Sequence, residues 1–429
     1  MTKEPGAASL VAEGFSRIAD AVGIVLLCWL GWRMFFVFDS ALQGRALVVG
    51  LVGMLACWTD KSAKKNTPLA MIAFVAIGLL SAAVHRWSAV VSMPDPVWLS
   101  LFTPASHLAV MAVFIYGTAH LLRTPPRLSW FVVGVVASIC ILSTQIAFDR
   151  AASGFMYARG GSGSLPSVPH WGGLHGTSLF LTLGLPLTLS VLFANRSLPR
   201  ILAGVTLGCG LLFVAFINGS RGGLVALGSS LVLMMVCALV VGIERRWRTR
   251  ALAAAIITIL AGLIVALQAH RTTLEGLKDL SGRGLIWEPT LRLIADHWWI
   301  GVGPGNFSRA MFETTYPAAF LQRYGNQFYN AHNLLLHTGA EVGLFGAWFL
   351  LAFFAWALRS CWRAWALRRV QLVSAGLLFV LIAFVVHSMS ENFLDARAEV
   401  DRTRLIVWMV LAAVLAVERL SRVRADSKT

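Results

Sequence analysis

Three side chains in this sequence stand where ionisable groups are costly, and their types suit the handling of a phosphate anion and a hydroxyl proton. Arg221 lies in Asn218-Gly219-Ser220-Arg221-Gly222-Gly223, a polar, glycine-containing break between two apolar runs. An arginine there faces an anion or a water-filled cavity, or else it snorkels to lipid headgroups. Arg283 follows Ser281-Gly282 and opens an amphipathic stretch, where the free amides of a helix start would add to its positive field. It reads as part of an anion site or as a solvated loop residue. Two guanidiniums at one face suit a diphosphate, because each can hold phosphate oxygens in bidentate fashion. His332, in Tyr329-Asn330-Ala331-His332-Asn333, sits where a long loop gives way to an apolar run. An imidazole can take a proton at neutral pH, although a lone histidine is more often a hydrogen-bonded structural group.

Other constellations are weaker. His337 is five residues beyond His332, about 140° around a helix, so the two do not share a metal-binding face. There is no HExxH, DxD or cysteine cluster, and Asp296-His297 is isolated. A metal-independent site without a cofactor is the expectation. Gly301-Val302-Gly303-Pro304-Gly305-Asn306-Phe307 follows no strand and lacks the closing Gly-Lys-Ser/Thr of a phosphate loop, so it reads as a tight turn. Arg159 with Gly160, Gly161 and Gly163 forms a flexible segment that covers a substrate or simply links two helices. Arg33, near the end of the first apolar run, contacts a phosphate-bearing lipid or snorkels. The six cysteines have no pairing or ligand spacing and read as small apolar fillers.

The elements that must position these residues are membrane helices. Hydrophobic residues make up 57% of the 429 and charged ones only 13%, about half the charge a water-soluble domain carries. A helix of about 20 apolar residues crosses the hydrocarbon core and satisfies its own backbone there. That rule gives twelve spans, near 19–38, 45–59, 68–85, 99–121, 128–147, 175–194, 199–217, 222–242, 250–268, 333–357, 370–390 and 404–420. The net charge of +16 would suggest nucleic acid in a soluble protein, but the basic residues sit in alternate connections. The clusters are Lys61, Lys64 and Lys65; Arg123 and Arg127; Arg196 and Arg200; Arg245, Arg246, Arg248 and Arg250; Arg359, Arg363, Arg368 and Arg369; and Arg419, Arg422, Arg424 and Lys428. This positive-inside pattern assigns both termini to the cytoplasm, accounts for the basicity without a nucleic-acid partner, and leaves Arg221, Arg283 and His332 on the far side. No removable signal peptide is expected.

The expected class is therefore all-α, a polytopic membrane protein with about 12 transmembrane helices. Residues 1–268 hold spans one to nine with short loops, 269–332 form a long outer loop with amphipathic helices, and 333–429 carry the last three spans and a basic tail. A connection that long is uncommon unless it is functional. Within it Leu285, Ile286, Trp287, Leu291, Leu293, Ile294, Trp298 and Trp299 recur at near-helical spacing, which predicts a helix lying on the membrane surface. No internal repeat is evident, which weakens a transporter built from duplicated halves.

Taken together, Ser220-Arg221-Gly222, Ser281-Gly282-Arg283 with Trp287, the 301–307 run, and His332-Asn333 followed after nine residues by Gly343 and Gly346 make the chain resemble the O-antigen ligase family. The likeness covers roughly residues 200–390, and the His-Asn-x9-Gly-x-x-Gly signature is its most specific part. The resemblance implies a GT-C-like membrane fold in the bacterial inner membrane. It also implies inverting, metal-independent transfer of a polysaccharide from undecaprenyl diphosphate to a sugar hydroxyl of lipid A-core on the periplasmic face. By the same resemblance Arg221 and Arg283 hold the donor diphosphate and His332 is the base. Arg33, Arg159, Trp287, Tyr329 and Asn333 are further substrate contacts. O-antigen polymerases and protein O-glycan ligases share the pattern and differ in acceptor. A lipid-sugar transporter is the reading from another class. It needs polar residues along several spans, whereas here the ionisable residues gather at one face.

Overall fold

A computed structural model describes residues 7–36, 42–56, 69–90, 98–152, 173–192, 198–218, 220–242, 283–314, 330–365, 371–392 and 401–426. In chain order the helices are α1 Ala7–Phe36, α2 Leu42–Ala56, α3 Leu69–Val90, α4 Trp98–Leu121, α5 Pro125–Ala152, α6 Gly173–Leu192 and α7 Leu198–Asn218. They continue with α8 Arg221–Gly242, α9 Arg283–Asp296, α10 Phe307–Thr314, α11 Leu334–Trp365, α12 Gln371–Ser388 and α13 Asp401–Asp426. The expected all-α class is the class observed among the described residues. The ninth expected span, 250–268, lies outside them, and each of the others overlaps a helix. Among the described residues, Pro125–Phe148 and Leu334–Trp365 are long and apolar enough to cross a bilayer, with shorter apolar stretches such as Met71–Val84 and Val373–Ser388 beside them.

The core follows from sequences that are apolar on every side. Residues 405–417 of α13 are buried all round, as a uniformly hydrophobic helix must be, and α13 packs on α4 and α11. Where α2 crosses α4, Gly50, Gly53 and Gly117 let the two backbones touch; a Cβ at any of them would strike main-chain atoms of the other helix.

α11 is broken at Gly343, whose φ of 82° and ψ of 174° leave the helical region. The backbone groups released there are taken by the 298–303 segment. Leu344 N donates to Trp298 O at 2.8 Å, Val302 N to Ala340 O at 2.8 Å, and Gly303 N to Glu341 O at 2.9 Å. Gly301, Gly303 and Gly305 all have positive φ, so the 301–307 run is the expected tight turn, built on glycine's freedom in that region. Glu341 completes the junction: its Oε1 accepts Gly305 N at 2.9 Å and Phe307 N at 3.3 Å, and its Oε2 lies 3.3 Å from His337 Nε2.

The span expected at 333–357 falls within a longer helix, with a short arm, 334–342, ahead of the break and an apolar arm, 344–365, after it. The amphipathic helix expected from Leu285 onward is α9, and it packs on α11. It runs parallel to the first arm of α11, as shown by contacts that climb both chains together: Trp287 Nε1 to Ala331 O, Ile294 against Gly339, and Trp298 O to Leu344 N. Its apolar residues are split between two faces. Ile286, Leu293 and Ile294 are buried, the latter two with Val302, Phe307, Met311, Ala331 and Ala340 in a small core of their own. Leu291 and, just past the end of α9, Trp298 and Trp299 remain exposed. Near-helical spacing identifies the helix but does not say which apolar residues a neighbour will cover.

A Cβ at Gly343 would meet the carbonyl of Trp299 while forcing a strained φ, at a cost of about 1–3 kcal/mol. Gly343→Ala is expected to lower the thermal midpoint in detergent and speed proteolysis within 283–314. Gly134→Ala, in the open interior of α5 with nothing within 4 Å, should leave both unchanged or improved. Matching profiles for the two variants would refute the account.

Candidate active site

Helix ends converge at one end of the bundle, and each is fixed by local chemistry in the sequence. Asn333 caps α11, its Oδ1 accepting Leu335 N at 3.0 Å and Leu336 N at 3.1 Å. Its Nδ2 donates to Met389 O at 3.1 Å, which ties the start of α11 to the end of α12. Ser220 caps α8, with Gly223 N donating to its Oγ at 3.3 Å. The start of α8 packs tightly: a Cβ at Gly222 would collide with the Ser390 hydroxyl and one at Gly223 with the Ser178 hydroxyl, with the His387 ring beside both. The two glycines therefore let α8 begin directly against α12 and α6.

His332 stands at the junction in a left-handed conformation, φ 47°, as the single non-glycine residue with positive φ among those described. Such a conformation is uncommon and costs energy unless its surroundings fix it. Here Asn330 Oδ1 accepts His332 N at 2.8 Å, and the Asn333 cap fixes the next residue. The imidazole Nδ1 lies 2.9 Å from Glu391 Oε2. Glu391 is 6% exposed at the side chain and His332 30%, so the carboxylate is held inside while the ring stays partly exposed. A carboxylate accepts only; with Nδ1–H donating to it, the neutral ring carries its lone pair on Nε2. That is the tautomer a base needs.

Each residue singled out from the sequence can now be located. Trp287 donates from Nε1 to Ala331 O at 3.0 Å, joining α9 to the histidine segment. Arg283 is the first residue of α9, one turn ahead of Trp287. Arg221 is the first residue of α8, next to Gly222, which faces Ser390, the neighbour of Glu391. The helix starts at Arg221 and Arg283 are thus linked, through Ser390 and Trp287, to the segment carrying His332 and Asn333. Arg33 lies near the end of α1, whose main packing partner is α2. Arg159 and Tyr329 lie outside the described residues. His337 does not join His332; it is buried with Glu341 beside the Phe307 ring.

Glu391 was not among the residues the sequence singled out. Its signal is an acidic residue in Ser388-Met389-Ser390-Glu391-Asn392, closing an apolar run. Its partner stands 59 residues earlier, and no spacing rule relates the two.

Residues 206–351 match the family model described as O-antigen ligase. No curated protein matches the chain. The matched stretch contains the Ser220 cap, Arg221, Arg283, the 301–307 turn, His332, Asn333 and the break at Gly343, while Glu391 lies beyond it. The geometry around His332 and this match fall on the same segment, and residues 206–351 are similar to the O-antigen ligase family model.

Proposed function

We propose that this protein transfers a polysaccharide from undecaprenyl diphosphate to a sugar hydroxyl of lipid A-core at the periplasmic face of the bacterial inner membrane. The observation that carries the reading is the His332–Glu391 pair, an oriented base at an opening, inside and beside the O-antigen ligase domain. The acceptor hydroxyl oxygen attacks the anomeric carbon of the donor glycan from the face opposite the diphosphate. The bond from that carbon to the phosphate oxygen breaks, and undecaprenyl diphosphate leaves with the electron pair. His332 Nε2 takes the hydroxyl proton, and Glu391 stabilises the resulting imidazolium. Attack from the opposite face inverts the anomeric configuration. Negative charge grows on the departing diphosphate, which the guanidiniums of Arg221 and Arg283, each opening a helix, would steady together with the free amides there.

The membrane orientation is supported by which groups meet. Arg127 Nη1 and Arg123 Nη2 pair with Asp20 Oδ2 at 2.7 and 3.2 Å, and Arg419 lies 4.5 Å from the Tyr116 ring centre. These residues belong to the basic, cytoplasmic connections of the positive-inside reading. Aromatic side chains flank the second arm of α11. Trp298, Trp299 and Phe345 cluster at its start, Trp362 and Trp365 at its end. Phe345 and Trp362 are 17 residues apart, about 25 Å along a helix, close to the thickness of the hydrocarbon core. Tryptophans at both boundaries are the usual interfacial anchors. On this reading the first arm of α11, α9 and the His332 opening stand on the outer side.

Purified protein given undecaprenyl diphosphate-linked glycan and lipid A-core is expected to form the conjugate. A longer lipid-linked glycan instead would identify a polymerase. His332→Ala should lower kcat by about 10²- to 10⁴-fold, the usual worth of a positioned base. Glu391→Gln, which keeps the shape but loses the charge, should cost about tenfold or more in kcat with KM little changed. Arg283→Ala should reduce transfer by about 10²- to 10³-fold, as for loss of one charge-stabilising donor. Near-normal transfer by His332→Ala or Arg283→Ala would remove that residue from the mechanism.

A further inference from the structure

His387 is a titratable side chain that takes no part in the chemistry above, and it is completely buried in the last turn of α12. From Ala375 to Val386 that helix is apolar throughout, and a polar ring at its end is costly to bury unless polar neighbours receive it. The first turn of α8 does so. A Cβ on Gly222 would stand 3.5 Å from His387 Cδ2, and one on Gly223 would stand 3.3 Å from Cε1. Those are the two carbons bonded to Nε2, so the ring turns its Nε2 edge to the start of α8. The hydroxyls of Ser390 and of Ser178, from α6, lie against the same two glycines, which makes a polar contact among three helices. Because the ring is fully buried, no substrate reaches it, and any effect on transfer passes through its neighbours.

The same residue carries Glu391 by its main chain. His387 O accepts Ser390 N at 3.0 Å, Glu391 N at 3.1 Å and Ser390 Oγ at 2.9 Å. One carbonyl thus closes α12 and sets the direction in which the next residues leave it. Four residues on, the Glu391 carboxylate lies 2.9 Å from His332 Nδ1. The end of α12 is fixed at two points, to α11 by the bond from Asn333 Nδ2 to Met389 O and to α8 by the His387 ring. Removing the second leaves the carboxylate on one tether. A misplacement of about 1 Å in a reacting group can cost on the order of 10²-fold in rate.

We infer that His387 is a positioning residue: its ring, seated on Gly222 and Gly223, holds the end of α12 so that Glu391 meets His332. The inference rests on the reading that the His332–Glu391 pair is the base for transfer.

The test uses the full-length protein in nanodiscs with undecaprenyl diphosphate-linked glycan and lipid A-core, in a double-mutant cycle over His387→Ala and Glu391→Gln. His387→Ala is expected to lower kcat by about tenfold or more, with KM for both substrates little changed. In the Glu391→Gln background the same substitution should cost almost nothing further, because it acts through that carboxylate. A residue that serves the fold alone would multiply the two losses. Multiplied losses overturn the inference, as does a wild-type kcat in His387→Ala. His387→Asn, which keeps a polar side chain, serves in the same cycle if the alanine variant does not insert. Electron cryomicroscopy provides an arm independent of turnover. The Glu391 carboxylate should lie within hydrogen-bond reach of His332 Nδ1 in the wild type and beyond it in the variant, and an unchanged distance overturns the inference. Wild-type protein that forms no conjugate, while the two maps differ in this way, would refute the transfer reading and leave the positioning role standing.

Discussion

The arrangement of this protein around His332 depends on an exchange of backbone hydrogen bonds at Gly343. A helix interrupted inside a bundle leaves amides and carbonyls that must find other partners, since each unpaired one costs free energy comparable to a lost hydrogen bond. Here the 298–303 segment supplies them, taking Ala340 O and Glu341 O and returning Trp298 O to Leu344 N. Ser81 adds a side-chain donor from α3 to Ile300 O and Glu341 O. The exchange works only with glycine at 301 and 343, where the two backbones come within van der Waals contact. It anchors the segment between α9 and α10 to a long apolar helix at a fixed height.

Everything the site needs is then placed relative to that anchor. α9 is held parallel to the first arm of α11, so Arg283 begins its helix one turn ahead of the Trp287 contact with the histidine segment. The small core around Leu293, Phe307 and Met311 packs against that arm through Ala340, and Asn333 both caps α11 and ties it to α12. His332 is left in a conformation it would not adopt alone, with its ring on Glu391. Strain of this kind persists where neighbours over-determine it, and such positions cluster at reactive sites.

Electrostatically, the molecule separates its charged groups into two ends. Asp20 with Arg123 and Arg127 ties α1 to the α4–α5 turn, and Arg419 over the Tyr116 ring ties α13 to α4 at the same end. At the other end, among the described residues, the carboxylate of Glu391 lies 2.9 Å from the histidine. Between the two ends α5 and α7 face each other across largely apolar walls, where the hydroxyls of Ser143 and Thr144 bond within their own helix.

The sequence alone marked out most of the apolar helices, the tight turn at 301–307 and the polar breaks at Arg221, Arg283 and His332. Each of these rests on a short-range rule: apolar run length, glycine where φ must be positive, a polar break between apolar stretches. Tertiary structure alone decided that α11 breaks at Gly343 and that Ile286, Leu293 and Ile294 face inward while Trp298 and Trp299 do not. It alone showed that His332 is paired with Glu391. A helix breaks at a glycine only when another segment stands ready to take its hydrogen bonds. A histidine gains a carboxylate only when two helix ends meet. Both conditions join residues far apart in the chain, which no local pattern of residue types records.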